Sequence, residues 1–345
     1  MLASNQTCAV CERFTTEFNY GVPSCNACKI FFRRLITRTA PVKQCYIGEH
    51  CFTKSPITKK CTFCRFQKCI QVGMTLPSYL HFGELTKEKC IDSTIQKLIL
   101  MEAHRKDLMA NYYTSYLNPT IDEVIRLNKV EYTRKSQNHQ MSFYNWAFHC
   151  CLVTVDFMKK FSFVNLLRFE DQKNLMKEFY IKLTVLINSK QSMSCGKEGM
   201  TFPDGSDVLP PTSSEWGISK ISQNLENKVR CRLIGRLSEL RITDEEYLLM
   251  CVLIFCNPNL SDVSKNGKIL LTSYQNLYSS VLLQYCLLTY GKMGPSRFAE
   301  LLGICQVIGI QYGDAIHYNV LVQLTKSRLD MKQLVRDGMV EAFLN

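Results

Sequence analysis

Long apolar runs are missing from this 345-residue chain. The longest, Tyr247–Cys256, falls well short of the roughly 20 residues a membrane-spanning helix needs, so no membrane partner is expected. The opening stretch, MLASNQTCAVC, has no apolar core of the kind a secretory leader carries, and a reducing compartment is expected for the 18 cysteines. Histidine is scarce: six occur, with no spacing that would build a His/carboxylate metal site with an open coordination position. Hydrolytic zinc chemistry is therefore excluded, and no enzyme is expected. Acid is scarce near the N-terminus. Residues 1–76 hold three acids (Glu12, Glu17 and Glu49) against eleven Lys and Arg, a net of +8, while the other 269 residues carry only +4. The basic excess belongs to one segment, the footprint of a polyanion such as double-stranded DNA.

Cysteine, by contrast, is abundant, and nine of the 18 lie at or before Cys69. Eight fall into two sets, Cys8-x2-Cys11-x13-Cys25-x2-Cys28 and Cys45-x5-Cys51-x9-Cys61-x2-Cys64. A Cys-x2-Cys pair brings two sulfurs to one ion from a tight turn, and a second pair completes a tetrahedron. Four thiolates without His or carboxylate select Zn²⁺ in a closed structural site, so two structural zinc ions are expected. A disulfide framework would need an oxidising compartment. Cys69 is left over and is assigned to packing. Spacing alone leaves other four-cysteine zinc modules open, such as LIM or GATA-like fingers.

The segment from Cys25 to Arg38 narrows the choice. It is amphipathic, with Phe31, Phe32 and Leu35 on one side and Lys29, Arg33 and Arg34 mainly on another. A helix of this kind fits the major groove, where Lys and Arg donate to guanine O6 and N7. Cys-Asn-Ala-Cys-Lys-Ile-Phe-Phe-Arg-Arg (residues 25–34), Tyr20-Gly21-Val22, Cys64-Arg-Phe-Gln-Lys-Cys69 and Val72-Gly73-Met74 together resemble the DNA-binding domain of nuclear hormone receptors. The Asn26-Ala27 pair is similar to the divergent receptors expanded in nematodes. The resemblance implies that Asn26, Ala27 and Ile30 discriminate half-sites and that Lys29 and Arg34 touch base edges. It also implies that Tyr20, Arg33, Arg65 and Lys68 hold phosphates. Asn26 and Ala27 depart from the acidic or glycine residues of better-known receptors, so half-site sequence does not carry over. Tyr46–His50 falls at the family's dimerisation loop, which implies a homo- or heterodimer with another receptor.

Beyond the zinc module the pattern is helical. Residues 1–76 form the DNA-binding domain, 77–89 a hinge, and 90–345 an all-α, layered helical domain of ligand-binding type. Helices are expected over Phe143–Phe163, Asp171–Asn188, Ile221–Leu240, Asp244–Phe255, Ser273–Tyr290 and Ser296–Thr325, with Thr243 capping one start. Ser189–Gly217, rich in Gly and Pro, reads as a loop with one short hairpin. Phe157–Lys177 resembles the signature joining helices 3 and 4 of the receptor ligand-binding domain, with Phe157, Lys159, Leu167, Asp171, Gln172 and Leu175 at its marked positions. That resemblance implies a coregulator-helix clamp formed by Lys159 and Glu341, although Gly338 stands where an apolar residue is expected. It also implies a small lipophilic ligand. The apolar faces of Trp146–Phe157, Tyr247–Phe255 and Phe298–Ile310 either line a cavity or fill a solid core. The function expected is a nuclear, sequence-specific transcription factor of RNA polymerase II genes. The alternatives are a ligand-independent orphan regulator and a zinc-dependent protein-interaction adaptor.

Overall fold

The computed structural model describes residues 6–38, 42–48, 51, 61–76, 84–136, 138–209, 223–325 and 331–339. Among the described residues no helix is long and apolar enough to cross a membrane. The chain groups into two compact units. One holds Met1–Lys89, Lys159–Asn174 and Cys256–Val281; the other holds Cys90–Met158, Leu175–Phe255 and Leu282–Asn345.

The first unit begins with two antiparallel ribbons, β1 (Gln6–Thr7) with β2 (Phe14–Thr15) and β3 (Phe18–Asn19) with β4 (Val22–Pro23). The ribbons were not expected from the sequence. Two-residue strands leave no alternation to read, and pairs this short have no stability of their own. The β3–β4 turn puts Tyr20 at φ 54° and Gly21 at φ 89°, so both central residues have the positive φ that a type I′ hairpin requires. A tyrosine rarely accepts that backbone. Here its ring packs 4.9 Å from Phe32 and its carbonyl accepts from the Thr75 N–H at 3.0 Å.

Two helices follow, α1 (Asn26–Ile36) and α2 (Thr62–Gln71). Phe32 of α1 and Phe66 of α2 stack at 5.9 Å, and Leu35, Phe63 and Met74 are buried around them. Cys69 is fully buried among these apolar groups. The same unit holds the chain from Lys159 to Asn174. Gln67 donates to the Leu166 carbonyl at 3.0 Å, Gln44 to the Leu167 carbonyl at 3.0 Å, and Asn266 to the Gln67 side-chain oxygen at 3.1 Å.

The remaining elements are α3 (Glu84–Asn111), a ribbon of β5 (Tyr112–Tyr113) with β6 (Thr133–Arg134), and α4 (Ile121–Arg126). Then come α5 (Phe143–Lys159), α6 (Ser162–Leu166), α7 (Phe169–Ser194), α8 (Gln223–Glu239), α9 (Asp244–Phe255), α10 (Lys265–Tyr290), α11 (Gly294–Thr325) and α12 (Gln333–Met339). The helix expected over Phe143–Phe163 is interrupted after Lys159. Asn165 donates to the Lys159 carbonyl at 2.9 Å and to the Phe161 carbonyl at 3.3 Å, which satisfies groups that a helix end leaves free. Asp171 explains an early start for α10. Its buried carboxylate accepts from the Ser264 N–H at 2.7 Å and the Ser264 hydroxyl at 2.6 Å. Ser264 in turn caps the Gly267 N–H at 3.1 Å. The short hairpin expected in the Gly/Pro-rich loop is a turn at Pro203–Gly205 closed by a Thr201–Asp207 bridge.

In the second unit, α9 is buried from Glu246 to Phe255, which is why its sequence is continuously apolar instead of striped. Its lone buried acid closes a capping box with Thr243 and pairs with Arg297 at 2.6 Å. Burial would raise the Glu246 carboxyl, but the Arg297 hydrogen bonds hold it below its ordinary value.

Helix α12 is fixed by groups distant in sequence. Tyr180 donates to the Leu334 carbonyl, Tyr312 donates to the Gly338 carbonyl at 2.7 Å, and the Asp337 carboxylate accepts from the Ile121 N–H at 3.0 Å. Asp337 thereby places negative charge at the start of α4, where the helix dipole favours it. The place of Gly338 has the same cause. A Cβ there would collide with Tyr180 and Ile181 of α7, so the glycine permits close approach of two helices. Gly338→Ala should therefore cost about 1–3 kcal/mol of stability by overpacking. Gly309→Ala, on an exposed face of α11 where a Cβ meets nothing, should instead gain about 0.5–1 kcal/mol. Urea unfolding of the two variants checks both signs, and an unaffected Gly338→Ala would show that the close approach is not required.

Candidate metal centres and DNA-facing helix

Both cysteine sets close in space. The four sulfurs of Cys8, Cys11, Cys25 and Cys28 lie within 4.8 Å of one another, and so do those of Cys45, Cys51, Cys61 and Cys64. Cys11 and Cys25 are 3.6 Å apart, as are Cys45 and Cys51. A disulfide would need about 2.05 Å. The edge of a tetrahedron with Zn–S bonds of about 2.3 Å is about 3.8 Å, which these separations approach. The donor set and its size therefore fit Zn²⁺, and each set holds one structural ion with no ligand position to spare.

The Cys-x2-Cys spacing has a helical cause. Cys25 is the N-cap of α1 and Cys28 its third residue; Cys61 and Cys64 stand in the same places on α2. The Cys61 sulfur also accepts from the Cys64 N–H at 3.5 Å. Both sulfurs of each pair thus face the positive end of a helix, which favours thiolates. Burial opposes this by raising the Cys28 thiol, while the Arg65 guanidinium, donating to the Cys28 sulfur at 3.2 Å, lowers it. The cation completes the neutralisation.

Metal ligation sets which side of α1 faces out. Cys28, Phe32 and Leu35 form its buried stripe. Asn26, Ala27, Lys29, Ile30, Arg33 and Arg34 are all exposed, with Ile30 at 42%. Every α1 residue implied to meet base edges or phosphate therefore lies on solvent-facing surface. Tyr20 and Lys68 are half-buried. Arg65 is engaged within the module: it also donates to the Ala27 carbonyl at 3.2 Å and stacks 4.2 Å over Phe31. Tyr46, in the loop between the first ligands of the second set, is 87% exposed. Glu49 and His50 of that loop, most of the 77–89 hinge and Glu341 lie outside the described residues. Lys159 ends α5 and is half-buried.

The second unit contains a cavity of about 130 Å³ among α5, α7, α8, α11, α12 and the loop after α7. Of the apolar faces considered from sequence, only the first contributes, through Ala147, Cys150 and Cys151. Tyr247–Phe255 and Phe298–Ile310 line none of it, and α9 is solid core. Tyr318 and Asn319 on α11 line the cavity and escaped the sequence reading. The one available signal was the polar run His317-Tyr318-Asn319 between the apolar positions Ala315-Ile316 and Val320–Val322.

If two closed thiolate sites hold the module, the purified chain should carry two zinc ions. Cys28→Ser should lower this to about one and abolish the α1 fold, because ion binding supplies folding free energy on the order of 10 kcal/mol to a domain this small. Elemental analysis and amide exchange of α1 read both effects. A full complement of two ions in the variant would overturn the assignment.

Comparisons with known proteins agree with this geometry. A family model for a double treble clef zinc finger of C4 type matches residues 6–76, and one for the ligand-binding domain of nuclear hormone receptors matches residues 128–309. Nuclear hormone receptor family member nhr-167 of Caenorhabditis elegans is 53% identical over 343 residues, covering 99% of both chains. Member nhr-27 of the same organism is 34% identical over 342 residues, covering 98% of this chain and 93% of its own. Member nhr-9 is 34% identical over 306 residues, covering 89% and 88%. With its two four-cysteine zinc sites and its mostly helical second domain, this chain belongs to the nuclear hormone receptor family.

Proposed function

We propose that the chain is a nuclear, sequence-specific transcription factor that acts on RNA polymerase II genes and is controlled by a small lipophilic ligand in the helical domain. The observation that carries the DNA-binding reading is the exposed face of α1, where Asn26, Ala27, Lys29, Ile30, Arg33 and Arg34 stand together above a buried Cys28–Phe32–Leu35 stripe. In this reading Lys29 and Arg34 donate to base edges, while Asn26, Ala27 and Ile30 shape the contact with neighbouring bases. Tyr20, Arg33, Arg65 and Lys68 hold phosphates, which position the helix without reading sequence. Exposed Tyr46 suits an apolar contact with a second receptor, either a copy of this chain or a relative.

The ligand reading rests on the cavity in the second unit, walled on one side by Val335 and Met339 of α12 and by Met331 just before that helix. Coregulator binding would use the Lys159 ammonium against the negative end of a partner helix and Glu341 against its positive end. The domain division at 1–76, 77–89 and 90–345 belongs to the same proposal.

Selection from random duplex DNA by the full zinc-loaded chain should enrich one half-site or a spaced pair. Lys29→Ala and Arg34→Ala should each cost about 1–3 kcal/mol at particular base pairs. Arg33→Ala should weaken all sequences alike and reduce the slope of log affinity against log salt by about 1. Absence of any enriched sequence would defeat the DNA reading. For the clamp, Glu341→Ala should sharply reduce activation of a reporter while leaving DNA affinity unchanged; undiminished activation would remove Glu341 from the role.

A further inference from the structure

We propose that the cavity of the second unit takes a compact, uncharged ligand carrying one oxygen acceptor, which Tyr318 and Asn319 bind by hydrogen bonds. The inference deepens the ligand reading above and rests on it. Three observations define the ligand class.

The first is size. At about 130 Å³ the cavity is smaller than the roughly 300–1,000 Å³ of sites for drug-sized molecules, and close to the roughly 150 Å³ that admits benzene in an engineered apolar core. A single substituted ring fits, whereas a sterol or a long acyl chain does not.

The second is charge. The described lining residues include no Asp, Glu, Lys, Arg or His. The charges that reach Tyr318 are already paired, Arg230 with Asp207 at 2.7 Å and with Glu226 at 3.0 Å, so a carboxylate or ammonium placed there would be buried with no lining residue as counterion, which is strongly unfavourable. Neutral ligands are therefore selected over anionic ones.

The third is the polar inventory. Thr184 is already bonded to the Tyr180 carbonyl at 2.7 Å and to the Thr154 hydroxyl at 3.0 Å. Asn188 is engaged with the Cys150 thiol. Tyr144 also lines the cavity and is engaged, its ring edge-on to Phe143 at 5.2 Å. Among the described lining residues, the Tyr318 hydroxyl and the Asn319 side-chain nitrogen are buried without a protein partner. These residues are only 4% and 8% exposed. Burial raises the Tyr318 phenol to about 12, so it stays protonated and can donate. Two orphan donors on adjacent residues in an apolar cavity favour a carbonyl, phenol or alcohol oxygen on the ligand, because an unmade buried hydrogen bond costs more than a made one gains.

Three para-substituted toluenes separate the possibilities: p-xylene and p-cresol, which are nearly equal in shape, and the larger, charged p-toluate, each titrated by calorimetry into the full zinc-loaded chain. p-Xylene and p-cresol should bind, and p-toluate should bind at least a hundredfold more weakly than p-cresol. Tyr318→Phe and Asn319→Leu should each weaken p-cresol about five- to tenfold, the weight of one hydrogen bond. The same substitutions should leave p-xylene within about twofold. Tyr318→Phe keeps the side-chain shape, so it guards against a folding defect in Asn319→Leu, and the thermal midpoint of each variant checks this. If both neutral probes bind and neither variant distinguishes them, the hydrogen-bonding assignment is overturned while the ligand cavity stands. Tight binding of p-toluate overturns the selection for neutral ligands. If no probe binds, the ligand reading itself fails.

Discussion

The zinc module depends on four thiolates collected at the first turn of a helix. Cys25 and Cys28 are at once metal ligands, N-cap and third residue of α1, and Cys61 and Cys64 repeat the arrangement on α2. One ion therefore does two things. It neutralises sulfurs that repel one another, and it fixes where the helix begins and how it is rotated. Rotation is the property that matters for recognition. Turning α1 by about 100°, one residue, would exchange part of its basic face for Phe32 and Leu35. The stack of Phe32 on Phe66 then locks α1 to the second zinc helix, so the apolar core is an extension of the metal geometry. A module with so little core could not hold that orientation by packing alone.

In the second unit the corresponding constraint lies in close helix contacts set by a few polar groups. Gly338 lets α12 approach Tyr180 and Ile181, while Tyr180, Tyr312 and Asp337 each satisfy a backbone group at one end or other of a helix. A glycine that lowers intrinsic helix propensity thereby stabilises the tertiary position of the same helix. Propensity is worth about 1 kcal/mol here, and the hydrogen bonds made possible by the approach together exceed it. Because α12 also walls the cavity, a ligand there touches a helix that protein groups already hold. Such a ligand can bias that helix only by as much as its own affinity depends on where the helix sits.

Much of this was legible in the sequence. The eight ligands were, because a metal tetrahedron needs cysteines at short fixed spacings. The exposed face of α1 was, because a 3.6-residue stripe separates Phe32 and Leu35 from Lys29, Arg33 and Arg34. Long helices were read well where caps marked them, as at Thr243. The failures have specific causes. The break after Lys159 depends on Asn165 reaching back to two carbonyls, which no stripe records. The three ribbons are too short to alternate. The cavity could not be placed because a helix face looks equally apolar whether it borders a void or a solid core; α9, the most apolar helix, proved to be core. Glycine at 338 read as a weakness because its partner Tyr180 is remote in sequence.

Arg65 shows why a residue's role in a module of this kind cannot be divided between folding and recognition. Its guanidinium donates to a zinc-ligand sulfur, to the Ala27 carbonyl in the first turn of α1, and lies over Phe31. N–H groups directed at a metal-bound sulfur draw charge from it and fix its lone pairs, so Arg65 is part of the outer shell of the first ion. A guanidinium has five donors in a rigid plane. Two point inward here through one nitrogen, which leaves others for a phosphate at the module's surface. Lysine in its place, with its charge concentrated on one atom, would have to choose between the sulfur, the carbonyl and the phosphate, and would lose the flat contact with Phe31. The plane of Arg65 thus ties the first zinc site to the first turn of α1, and the phosphate contact proposed for it would use the donors that these bonds leave.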